Sequence, residues 1–201
     1  PSGFLEEGVY YEEVVSTDGF RRAYSIQYHV RPPTRVLAVE PLGRSGVSLV
    51  QPEVLRHRHY QTGALPRSGD PIRGRVPILG NSDVLISRCR PAEPQRELYR
   101  NAAADEVLFI HGGQGVFRSA FGRLPFQEFD YLVVPRCTTY QIEFEADSGL
   151  DLLVVESTGG LTNPPHYLNA DGQLKLGAPY SERDLKPPRE LETIDEETPT
   201  P

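Results

Sequence analysis

Between Asp83 and Glu156 the chain repeats one pattern: a short run rich in Val, Leu, Ile, Phe and Tyr, then a break. The runs are Asp83 to Cys89, Glu106 to His111, Gly115 to Phe121, Asp130 to Pro135, Tyr140 to Glu145 and Leu150 to Glu156, with Gly-Gly, Leu-Pro or Asp-Ser-Gly between them. Alternation at a period of two, with breaks every roughly 8 to 15 residues, is the pattern of a β-sandwich or barrel. No convincing amphipathic helix or internal repeat competes with it. The expected fold class is therefore all-β, a sandwich or barrel with an N-terminal strand-rich extension and an irregular C-terminal linker.

The flanks differ from this core. Residues 1–80 are expected to form an extension of short strands and loops that packs on the barrel, with candidate strands at 9–15, 23–30 and 35–40. Pro66, Gly69, Asp70 and Pro71 mark a loop before Val76. Residues 81–157 form the core, and 158–201 an irregular connector with an acidic tail. Such a tail cannot bury enough apolar area to offset its ordering entropy, so its last dozen residues are expected to be mobile or packed on a neighbour.

Charge and composition exclude several function classes. The net charge is -7, and a nucleic acid or an anionic membrane needs a basic surface to displace counterions. From Glu182 to the C-terminus seven acids face three bases, so the remainder is close to an ordinary balance. No apolar run approaches the length of a membrane helix, and the acidic N-terminus lacks a signal peptide's apolar stretch. Cys89 and Cys137 show no redox or zinc spacing and read as reduced thiols of a cytoplasmic protein. The start at Pro1 rather than Met points to a fragment or processed form.

The core also carries a motif framework. A first motif runs Tyr99, Asn101, Glu106 and Gly113, and a second runs Asp130-Tyr131-Leu132-Val133-Val134-Pro135 on to Tyr140. The two resemble the paired motifs of cupin barrels, the double-stranded β-helix (jelly-roll barrel) fold, with their chemistry altered. Where a metal-binding cupin has His-x-His, this chain has Tyr99 and Asn101. Glu106 keeps the Glu slot, and Tyr140 takes the slot of the last His. A mononuclear Fe, Mn or Zn site needs several basic donors converging at about 2.0 to 2.2 Å, which one Glu, an amide and phenols do not supply. Glu106 is expected to be a satisfied acceptor near the barrel mouth or a solvated strand-end carboxylate rather than a ligand, and the four positions to line whatever pocket exists.

A closer resemblance spans nearly the whole chain. The stretches Val30 to Val36, Leu55 to Tyr60, Leu98 to His111, Phe121 to Phe126, Asp130 to Tyr140 and Tyr180 to Thr193 are similar to the N-terminal half of the bacterial homogentisate 1,2-dioxygenase family. That resemblance implies an enzyme of about twice this length that opens an aromatic acid's ring with O2, using Fe(II) held by two His and one Glu in a C-terminal half. It implies a partner for this chain in that catalytic cupin half, a homo-oligomer, and a role in aromatic catabolism. No catalytic, cofactor-binding or metal residue is assigned to this chain, and alone it is expected to be inactive. The alternative is a stand-alone, metal-free cupin that binds a small molecule or drives oligomerisation, its pocket lined by Tyr99, Asn101, Glu106 and Tyr140.

Other residues invite narrower readings. His57 and His59 would face one side of an extended strand, a spacing that suits a metal pair. The alternating Arg56 and Arg58 favour an interface instead. His111 reads as a strand-end histidine, and Gly112-Gly113-Gln114-Gly115 as a hairpin turn with positive φ rather than a phosphate loop. Phe129 and Cys137 stand where cupins have turn glycines. Those turns are expected to have relaxed, since no ligand has to be aimed.

Overall fold

A computed structural model describes residues 4–5, 8–16, 20, 24–41, 46–50, 54 and 56–194. Thirteen strands run in chain order: β1 (Phe4–Leu5), β2 (Gly8–Val9), β3 (Tyr11–Val15), β4 (Ser25–His29), β5 (Arg75–Gly80), β6 (Val84–Cys89), β7 (Tyr99–Arg100), β8 (Asp105–Gly112), β9 (Gly115–Ser119), β10 (Gly122–Phe126), β11 (Tyr131–Val134), β12 (Thr139–Glu143) and β13 (Asp151–Ser157). Only short 3-10 turns interrupt them among the described residues. The chain divides into two units, residues 1–46 with 194–197, and the remainder.

The larger unit is a jelly roll of two antiparallel sheets, ordered β10-β9-β12-β7 and β11-β8-β13-β6-β5. Alternation along the strands builds its core. On β8, Leu108 and Ile110 point inward; on β13, Leu152 and Val154 do; on β12, Tyr140 and Ile142. With Phe117, Phe126, Leu132, Val134, Cys89 and Leu150 they form one cluster fed by both sheets. Each fully buried aliphatic side chain contributes about 1.5–3 kcal/mol. The fold expected from the sequence is the fold observed.

Three local expectations need correction. The Leu124-Pro125 break is not a turn: it lies within β10, where Pro125 opposite Val116 is tolerated because β10 is the last named strand of its sheet. Gly112 to Gly115 does not close a hairpin, because β8 and β9 belong to different sheets; it is the corner between them. Gly113 there does have φ +86, and a Cβ would lie 2.7 Å from the Leu150 backbone. The third concerns Phe129 and Cys137, whose turns have not relaxed. Their φ values are 72 and 64, left-handed conformations that cost roughly 1–2 kcal/mol for residues other than glycine. Backbone bonds hold both: Phe129 N–H donates to Ile110 O at 2.8 Å, and Cys137 N–H to Asn101 O at 2.7 Å. These turns serve the sheet register and not only a ligand.

β5 was not marked as a strand in the sequence, yet it completes the five-stranded sheet beside β6. Residues 35–40, in the stretch bracketed by Pro32, Pro33 and Pro41 where a short strand was expected, are irregular. The acidic run beyond 194 lies outside the described residues. The segment just before it is packed on its own barrel: Arg189 and Arg123 exchange two backbone hydrogen bonds, at 2.6 and 2.8 Å, at the free side of β10.

In the smaller unit β1 pairs with β2, and β3 with β4, all antiparallel. The β3–β4 ribbon leaves Tyr11, Val14, Ile26 and Tyr28 exposed. His29 Nε2 sits 2.9 Å from Glu13 Oε2 across it.

Candidate functional site

The register of the five-stranded sheet creates an electrostatic problem at one end of the barrel. β8 and β13 pair so that Glu106 lies directly opposite Glu156. Directly opposed residues of an antiparallel pair have Cβ atoms about 4.5–5.5 Å apart, and like charges there repel. Glu106 is 1% exposed, so water does not screen the pair. Something else must.

That role falls to Arg75, the first residue of β5. It pairs with Cys89, whose side chain is wholly buried, so Arg75 shares that inward parity. Its Nη1 donates to Glu106 Oε1 and lies 3.7 Å from Glu156 Oε1. Nη2 donates to Tyr140 Oη at 2.9 Å, and Nε to the Pro71 carbonyl at 3.1 Å. The guanidinium carbon sits 5.4 Å from the Tyr99 ring centre, in cation–π range. Every face of the cation has a partner.

The opposite sheet supplies the rest. Tyr140 on β12 pairs with Tyr99 on β7, and their rings meet edge to face at 5.5 Å. Tyr140 O–H donates to Glu106 Oε2 at 2.7 Å, and its ring stacks on Phe117 at 4.8 Å. Asn101 Nδ2 donates to Glu156 Oε1 at 2.8 Å and to Glu106 Oε1 at 3.4 Å. The Asn101 amide is aimed by its own oxygen, which accepts the Ala103 and Ala104 N–H groups at 3.0 Å each. The network thus ties both sheets together.

Ionisation follows this arrangement. Burial pushes the Tyr140 phenol well above its usual value, and the Tyr99 phenol up to about 12, so both are neutral donors. Burial alone would lower Arg75, but Tyr140, Glu106 and Glu156 override it and hold the guanidinium charged. Glu156 is raised, chiefly because burial disfavours its charge, with Arg75 opposing.

Tyr99, Asn101, Glu106 and Tyr140, picked out in the sequence as degenerate ligand positions, therefore converge. Of the two readings open for Glu106, the structure shows the satisfied acceptor and not a solvated carboxylate. Arg75 and Glu156 were missed. Glu156 could have been found, since it continues the inward parity of Leu152 and Val154. Arg75 gave no motif signal; only the need for a counter-charge points to it.

A metal does not fit this donor set. Glu106 is already hydrogen-bonded to a guanidinium that lies 3.7 Å from Glu156, the remaining groups are neutral phenols and an amide, and no imidazole is bonded to the cluster among the described residues. No group of three or more metal-binding side chains occurs among the described residues. His57 and His59 lie exposed in an irregular segment rather than on a strand. His111 is exposed at the end of β8, its ring 5.9 Å from Phe109. Cys89 is buried and free, its thiol pushed up to about 12 by burial; Cys137 is exposed and free.

A groove lies elsewhere, on the outside of the four-stranded sheet, bordered by Gln95, Arg123, Phe126, Gln141, Glu143 and Lys186. It is open to solvent and shares no residue with the Arg75 network.

Comparison with known proteins adds a relative. The chain is 35% identical, over 195 residues and 96% of its length, to a protein of Saccharolobus solfataricus provisionally named a dioxygenase. It spans about half of that relative, 50% of its length. No family model matches the chain. Among solved structures, a cupin protein from Bacteroides fragilis is 18% identical, with 63% of this chain and 100% of that chain covered and a TM-score of 0.41. Protein NMB1881 from Neisseria meningitidis is also 18% identical, with 48% and 93% covered and a TM-score of 0.41. No helix among the described residues is long and apolar enough to cross a membrane.

Proposed function

We propose that this chain is the non-catalytic N-terminal cupin portion of an Fe(II)-dependent, ring-cleaving dioxygenase of the homogentisate 1,2-dioxygenase type. The observation that carries the reading is the near end-to-end match to one half of a relative named a dioxygenase. The interior supports it: a barrel whose ligand positions are bound to an arginine has no open coordination sites for O2 and a substrate. The iron, the aromatic acid and the oxygen chemistry belong to a second cupin half. This barrel acts there as a scaffold, in a cytoplasmic homo-oligomer. A small-molecule pocket inside the barrel gains no support, since Arg75 and its partners fill the space between Tyr99, Asn101, Glu106 and Tyr140.

The test is homogentisate-dependent O2 uptake with added Fe(II). It is run on the 201-residue chain alone and on the chain joined to a C-terminal half of the kind the relative carries. Uptake is expected only from the joined protein. Turnover by the 201 residues alone, or none from an iron-loaded joined protein, overturns the reading.

A further inference from the structure

We infer that Arg75 is the resident cation of this barrel: its guanidinium neutralises Glu106 and Glu156 where a metal-binding barrel would hold its ion, and its removal opens a site for an external cation. The inference stands apart from the reading of the chain as half of an oxygenase, since it concerns only how this interior is neutralised.

Three features of the site support it. First, the register places two carboxylates side by side, Glu106 fully buried and Glu156 18% exposed at the side chain, so a positive charge between them relieves their repulsion. Second, the guanidinium is supplied from a different strand and is held on four sides, by Glu106, Tyr140, the Pro71 carbonyl and the Tyr99 ring. The planar fork presents Nη1 to a carboxylate and Nη2 to a phenol in one fixed geometry, which the rotatable donors of an ammonium do not pre-organise. Third, the other donors are oriented independently of Arg75. The Asn101 amide is pinned by two backbone N–H groups, and the Tyr140 ring is packed between Tyr99 and Phe117. Truncating Arg75 would therefore leave a preformed cradle with two carboxylates, an amide and a phenol, sized for a guanidinium.

The consequence is chemical rescue. The experiment compares the unaltered chain, Arg75→Ala and Arg75→Ala/Glu106→Gln by thermal melting, with methylguanidinium or Mn2+ added. The unaltered chain should show no specific response to either probe. Arg75→Ala should melt lower and regain roughly 5 °C or more with about 10 mM methylguanidinium, because a ligand bound only by the folded state stabilises it in proportion to occupancy. A comparable gain with Mn2+ would equally show a vacated cation site. In the double variant the response should be much smaller, since Glu156 alone is left to attract the cation.

The inference is overturned if Arg75→Ala responds to both probes no more than the double variant does. It is also overturned if the unaltered chain binds Mn2+ stoichiometrically and Glu106→Gln abolishes that binding. Should Arg75→Ala fail to fold even with the probes present, Arg75→Met and Arg75→Met/Glu106→Gln decide. Neutralisation predicts the double variant to be the more stable of the two, and an equal or lower stability of the double variant overturns it.

Discussion

Two of the arginine–carboxylate networks in this barrel make a contrast, one inside it and one on the outer face of the four-stranded sheet. Inside, Arg75 serves Glu106 and Glu156, with Arg75 8% and Glu106 1% exposed at the side chain. Outside, Arg118 and Arg123 each bridge Glu143 and Glu192, at distances from 2.6 to 3.4 Å. Those four side chains are 28% to 37% exposed. By count of ion pairs the outer network is the richer one. By energetics the inner one should dominate, because an exposed pair is screened by water and salt, while a buried ion without its partner retains most of its desolvation penalty. The comparison separates how many ion pairs a structure shows from how much they matter.

The most damaging way to probe that contrast is Glu106→Ala. It removes the shared acceptor of Arg75, Tyr140 and Asn101 and leaves a guanidinium inside the barrel with only the more distant Glu156 as counter-charge. Breaking a buried pair from one side costs about 3–5 kcal/mol, and the alanine adds a cavity. Urea denaturation should show that loss with little dependence on salt. A cost under about 1 kcal/mol, the ceiling for surface pairs, would mean the interior is wetter than its burial indicates.

How much of this was legible in the sequence follows from what each feature depends on. The strands depend on local alternation, so β6, β8, β11, β12 and β13 could be read within a residue or two. β5 and β10 could not, because each contains a proline, and only their positions at the ends of sheets make proline harmless. The convergence of Tyr99, Asn101, Glu106 and Tyr140 was legible through motif spacing. Arg75 was not, because Pro77 hides the strand that carries it and its carboxylate partners, Glu106 and Glu156, lie 31 and 81 positions further along the chain. The turns at Phe129 and Cys137 were misjudged for a related reason. Their left-handed geometry is imposed by hydrogen bonds to Ile110 and Asn101, partners distant in sequence, and persists without a metal to position.

A smaller effect separates the two carboxylates of the inner network. The folded-state pKa of Glu156 is raised, so ionising it is harder in the folded chain than in the unfolded one. For an acid shifted upward, the associated stability is fully present below the unfolded value, near about 4.3, and is lost as the pH rises through the higher folded value. Glu156→Gln removes the titration and keeps an oxygen to accept the Asn101 N–H. The variant should therefore gain stability relative to the parent on going from about pH 4 to pH 7. Melting curves at the two pH values provide the check. A relative loss over that interval would show that Arg75 stabilises the Glu156 charge more than burial penalises it, making both glutamates equal counter-ions.

The smallest effect is expected at Glu192, and it bears on the outer network alone. Glu192 accepts from Arg118 Nε at 2.6 Å and from Arg123 Nη1 at 3.1 Å, which lowers its pKa through those hydrogen bonds. Its segment is also held by the backbone pair between Arg189 and Arg123, which needs no side chain. Glu192→Ala should thus leave the melting temperature almost unchanged, and raising the salt should erase whatever difference remains, since solvent-exposed charges are screened within about 8 Å at physiological ionic strength. Hydrogen exchange at the Arg189 amide gives a more local readout. If its protection survives the substitution, the backbone bridge anchors the segment and the ion pairs add little. If protection is lost while the melting temperature holds, the exposed carboxylate is what keeps this segment against β10, and the outer network matters for docking rather than for the stability of the barrel.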